Sequence, residues 1–128
     1  MSNKPHEIVR DLWARFAEGG IESVVDVTGP DVEWAPYMAD GRVFRGPEEL
    51  REYARSLERR GEVMEAAPYS FEERGDAVIV SGYVRIRSEE GIAEHQLHWV
   101  YRFDGDRLLR AESYPTRAEA IEAVDEVD

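Results

Sequence analysis

Two histidines three residues apart, His95 and His98, are the side chains in this sequence best suited to moving a proton near neutral pH. They lie in the stretch from Ile92 to Tyr114: IAEHQLHWVYRF, the turn Asp104-Gly105-Asp106, then RLLRAESY. Two period-two runs around a short acidic glycine turn predict an antiparallel hairpin. On a strand His95 shares a face with Leu97, Trp99, Tyr101 and Phe103, so if that face walls a cavity its imidazole projects inside as a general base. Tyr37 or Tyr83 would then act as proton donor. The plainer alternative is a histidine at the sheet end, satisfied by backbone or water. His95 and His98 point to opposite faces and cannot share a metal, and Glu94 and His98, though on one face, stand roughly 13 Å apart. No metal site and no cofactor are expected.

Trp34, Tyr37, Tyr53, Tyr83 and Trp99 make a candidate aromatic cage for a flat apolar ligand, with Trp13, Tyr101 and Ser113 completing the ligand-binding set. Against this stands plain core packing, above all for Tyr53 on its helical stripe. Trp34 and Trp99 can equally fill a pocket as line it. Arg85 and Arg87 would bind a carboxylate if they faced inward, but the surface habit of arginine favours solvated strand ends. Ser81-Gly82 lacks the second glycine of a nucleophile elbow, and Arg42 to Gly46 has too few glycines to cradle a phosphate.

Elements that position these groups can be read in order. Ile8, Val9, Leu12, Trp13, Phe16 and Ala17 recur at helical spacing until Gly19-Gly20, and Ile21, Val24 and Val25 suggest a short second helix. Asp31 to Tyr37 reads as a short strand, placed at a sheet edge because Pro36 cannot donate to a ladder. Met38 to Phe44 is a loop suited to a lid, with an extended piece at Val43-Phe44. Gly46-Pro47-Glu48-Glu49 opens a helix whose stripe is Leu50, Tyr53, Ala54 and Leu57. Val63 to Arg74, Ala77 to Arg87, Ile92 to Phe103 and Arg107 to Tyr114 form a four-stranded meander. Thr116 and Glu119 make a capping box before a last short helix.

Composition narrows the class. A chain of 128 residues fits a single domain spanning 1–128. With 16 basic against 28 acidic residues, its formal charge of -12 repels phosphate backbones and anionic membranes, so neither nucleic acid nor membrane is expected as a partner. Absence of cysteine removes disulfides, thiol nucleophiles and thiolate metal sites. Met1 to Ile8 shows no basic-then-apolar leader and no apolar run nears 18 residues, so the expected location is cytoplasmic.

The order of elements, with AEGGIESVV, DVEW, FRGPEEL, EERGDAVIV and HWVYRFDGDRLLRAESY, resembles the nuclear transport factor 2-like superfamily, in particular its SnoaL-like polyketide cyclase and ketosteroid isomerase-like branches. The resemblance runs from roughly Ile8 to Val124. It implies an α+β cone-shaped barrel in which three helices pack on a curved, mostly antiparallel sheet. It also implies an apolar pocket and commonly a homodimer through the sheet's outer face, with His98, Arg110, Glu112 and Tyr114 expected there. Activity does not follow from the fold. The isomerases' base falls at Trp34 in Val32-Glu33-Trp34-Ala35, their oxyanion donors fall at Leu12 and Trp99, and the cyclases' last-strand Asp falls near Ser113, or at Glu112 if the register slips by one.

The resulting expectation is a pocket protein for a small apolar or aromatic molecule. If catalytic, it would be a cofactor-free isomerase, cyclase or dehydratase with His95 as base. The alternative is a non-enzymatic binding or dimerisation domain whose pocket Trp34 and Trp99 have filled.

Overall fold

A computed structural model describes residues 5–25, 29–36, 41–105 and 107–125. The elements are α1 (Pro5–Val25), β1 (Glu33–Ala35), β2 (Phe44–Arg45), α2 (Gly46–Arg59), β3 (Val63–Arg74), β4 (Ala77–Ser88), β5 (Gly91–Asp104), β6 (Arg107–Tyr114) and α3 (Arg117–Asp125). Gly20, at φ 69 and ψ -157, breaks α1 into the two limbs that the glycine pair predicts.

The six strands form one sheet in the order β2-β1-β6-β5-β4-β3. Strands β3 to β6 are the expected antiparallel meander, and the irregular register between Pro68 and Ser70 marks a bulge in β3. Strand β1 is not at an edge. It lies between β2, to which it is antiparallel, and β6, to which it is parallel. Pro36 follows directly after its last residue, so no ladder N–H is required of it.

Alternation along the strands sorts side chains onto two faces. The inner face carries Val78, Val80, Tyr101, Phe103 and Ala111, which pack with Val9, Leu12, Trp13 and Val24 of α1. Helix α2 contributes Leu50, Tyr53 and Leu57 to a second cluster with Val25 and Phe44. Three helices therefore share the labour unequally: α1 and α2 close the inner face, while α3 docks Ala120 on Ala77, Ile79 and Val100 of the outer face.

A ladder of alternating charge runs across that outer face. Arg45 pairs with Glu33, Glu33 with Arg110 at 2.7 Å, Arg110 with Glu112 at 3.5 Å, and Glu112 with Arg102 at 2.5 Å. Arg102 also donates to the Ala123 carbonyl at 3.0 Å, tying the ladder to α3. Arg110, Glu112 and Tyr114, expected with His98 at a subunit interface, are engaged with one another or with Glu33 and Arg102 within the chain. His98 is buried. Arg85 and Arg87 lie on exposed strand ends paired with Glu94 and Glu65.

Candidate functional site

Between α1, α2 and the inner face of the sheet lies a cavity of about 140 Å³, partly open to solvent. Its existence follows from a mismatch in side-chain size. Strand β5 presents Trp99 and Tyr101, while the register partners on β6 are only Ser113 and Ala111, and Trp34 on β1 pairs with the same Ala111. Large groups stand on both sides of small ones, and the helices bridge the gap without filling it. Trp13 meets Trp99 edge-on at a centroid distance of 4.7 Å and Phe16 at 5.9 Å, which fixes the α1 wall.

Of the eight ligand-binding candidates, Trp13, Trp34, Tyr53, Trp99, Tyr101 and Ser113 border this cavity. Trp34 and Trp99 line it and leave it open. Tyr83 does not belong: the odd positions of β4 face outward, leaving it 57% exposed with its ring against Tyr69 at 5.3 Å. Tyr37 lies outside the described residues, as do Met38, Ala39 and Asp40 of the expected lid; Phe44, at the lid's far end, is buried against Tyr53.

His95 has the inward parity, yet it is exposed and does not border the cavity. The reason is length. Both parities of β5 are exposed from Gly91 to Gln96, so this end of the sheet projects past the helices, and burial begins only at Leu97. Glu112 borders the cavity, but its carboxylate is held by Arg102, Arg110 and a hydrogen bond from the Tyr114 hydroxyl at 2.8 Å. Burial alone would raise its pKa; the hydrogen bonds and charges of these partners outweigh burial and lower it. Tyr114 is pushed up to about 12 by burial and by donating to that carboxylate.

The polar groups that remain on the described wall are neutral. Burial raises the Tyr53 phenol. It raises the Tyr101 phenol further, against the opposing influence of the Trp13 indole N–H, which lies close to it. Neither the Trp13 nor the Trp34 N–H has a hydrogen-bond partner of good geometry. Sequence reasoning missed Leu12 as a wall residue and also Phe16, Ala66, Val84 and Ala111. The one available signal was the pairing of small inward residues with large ones across strands.

Opposite the cavity, through the sheet, Ser81 Oγ and His98 Nδ1 share a buried hydrogen bond at 2.6 Å. Burial, helped by the charge of Arg117, lowers the His98 pKa below its ordinary 6.5. The folded state therefore binds fewer protons than the unfolded chain. This contribution to stability is fully present above about pH 6.5 and is lost as pH falls toward the depressed folded value. Urea midpoints measured from pH 7.5 to 5 should decline in the native chain and stay flatter in His98→Gln; equal slopes would exclude His98 as the titrating group.

Among the described residues no three His, Asp or Glu side chains gather as a metal site, and no helix is long and apolar enough to cross a membrane. No protein-family model and no curated protein matches the chain. Solved structures do. An NTF2-like protein of unknown function from Burkholderia pseudomallei is 25% identical, with a TM-score of 0.75 over 94% of this chain and 96% of that one. An NTF2-like protein from Burkholderia thailandensis is 20% identical, with a TM-score of 0.77 over 95% and 98%. TerC, co-crystallised with polyporic acid, is 25% identical, with a TM-score of 0.74 over 95% and 99%. Further neighbours include a SnoaL-like polyketide cyclase candidate, a protein of ketosteroid isomerase-like fold and a cystatin-fold protein. The chain has the nuclear transport factor 2-like cone fold.

Proposed function

We propose that this protein holds a small, flat, largely apolar molecule of one or two rings in the cavity between its helices and the inner face of its sheet. The observation that carries this reading is the void itself, about 140 Å³ walled by aromatic side chains. An apolar engineered cavity of comparable size, about 150 Å³, takes benzene. Two neighbours were solved with small molecules, TerC with polyporic acid and the ketosteroid isomerase-like protein with trimethylamine, which supports the reading. Binding is favoured over acid–base catalysis because an isomerase, cyclase or dehydratase needs a base on the wall. Among the described residues the His95 imidazole lies off the wall and the Glu112 carboxylate is engaged. Any contact between two copies fits better on the uncovered half of the outer face, where Tyr69 and Tyr83 are exposed.

Filling the void tests the proposal. Ala111→Phe places a ring between Trp34 and Tyr101, and it should weaken binding of indane at least tenfold in an amide-shift NMR titration while the variant stays folded. Ser113→Phe is a second block from the neighbouring inward position. Indane binding unchanged in both variants would remove the cavity as the site.

A further inference from the structure

The Tyr101 phenol sets the chemistry of what the cavity accepts, provided the cavity is a binding site as proposed above. Tyr101 is only 6% exposed and borders the cavity. A hydroxyl has one hydrogen to donate and two lone pairs to offer. The Trp13 indole is near enough to the phenol to oppose the effect of burial on it, yet its N–H makes no hydrogen bond of good geometry. Among the described residues no acceptor takes the phenol's hydrogen. A hydroxyl that borders an apolar cavity without a protein acceptor has its hydrogen left for an occupant. The open direction is the cavity.

The surroundings limit the partner. Beside Tyr101 stands Ala111, the smallest residue on that wall, which leaves room for a group against the hydroxyl. Among the described lining residues a cation would meet no free carboxylate, since the Glu112 side chain is engaged with Arg102, Arg110 and Tyr114. A carboxylate would meet no free arginine among the described lining residues and would be desolvated without a counter-charge.

We infer that the cavity selects a planar aromatic molecule bearing an uncharged carbonyl oxygen, which accepts the Tyr101 hydrogen while Trp99 and Trp13 flank its ring. Tyr101 is the residue that hydrogen-bonds the ligand, and Trp13 and Trp99 contact its ring.

Indane and 1-indanone share a shape and differ by the carbonyl, so they serve as probes. The ketone is the better hydrated of the two and should still bind at least as tightly to the native chain. Tyr101→Phe keeps the ring and removes only the hydroxyl; it should weaken 1-indanone about tenfold and leave indane within twofold. The carbonyl stretch of bound 1-indanone should also lie at lower frequency in the native protein than in Tyr101→Phe. Equal affinity of the two proteins for the ketone, or an unshifted carbonyl band, would overturn the inference while indane binding leaves the cavity reading standing. Failure of both probes to bind the native chain would overturn both.

Discussion

Replacing Gly46 by alanine is expected to destabilise the protein by about 3 kcal/mol, roughly a 10 °C fall in midpoint for a domain of this size. Two costs combine at one residue. Gly46 opens α2 with φ at 79, a conformation that L side chains rarely adopt. A Cβ there would also lie 2.6 Å from the Pro30 carbonyl oxygen. Backbone cannot swing aside as a side chain can, because the Gly46 N–H donates to the Val32 carbonyl at 2.9 Å and Val32 is buried. The clash therefore displaces either the approach to β1 or the start of α2, and both carry cavity residues, Trp34 and Tyr53. Urea unfolding with paired ligand titration checks this. A loss below about 1 kcal/mol would mean that the junction yields more easily than its contacts suggest.

Glu112→Ala should be the next most damaging change, costing about 2 to 3 kcal/mol. Its carboxylate is 14% exposed and Arg102 beside it 19%, so removing the anion leaves a guanidinium largely shielded from water, with the Ala123 carbonyl still accepting from it. Tyr114 loses its acceptor at the same stroke. Because the Glu112 pKa is lowered in the folded state, its contribution is present above about pH 4.5 and is lost as pH falls through the depressed value. The variant should therefore lose part of the acid sensitivity of the native chain. The double replacement Arg102→Met with Glu112→Leu should recover most of the lost stability, since it removes both charges together. A single variant as stable as the native chain would show the ladder to be ornamental.

What the sequence discloses depends on how local the cause is. Period-two alternation placed the four-stranded meander, and Gly19-Gly20 placed the break in α1, because both are written in neighbouring residues. Parity told correctly which side of β5 His95 takes. It was silent on whether any helix reaches that far, and the end of β5 extends beyond them. Tyr83 failed for the same kind of reason, since its face depends on the register with β5, where Val84 rather than Tyr83 pairs with an inward position. Pro36 suggested an edge, yet β1 is enclosed by a parallel pairing to β6, a contact between segments far apart in sequence. The burial of His98 against Ser81 was not legible, because the docking of α3 over the outer face leaves little trace in its weak amphipathic pattern. Trp34 and Trp99 were legible as wall residues; that they line a space rather than fill it depends on Ala111 and Ser113 opposite.

The chain has three tryptophans, and all three border the cavity. Its intrinsic fluorescence is consequently a report from one place. An occupant that excludes water from the wall or quenches an indole acts on the whole signal, whereas an event confined to the outer face leaves it nearly unchanged. Trp13 and Trp99, 4.7 Å apart and inclined by 73°, are also close enough for their transitions to couple. Circular dichroism should then carry an exciton signature of the intact α1 wall, making the molecule its own optical sensor for whether that wall has moved.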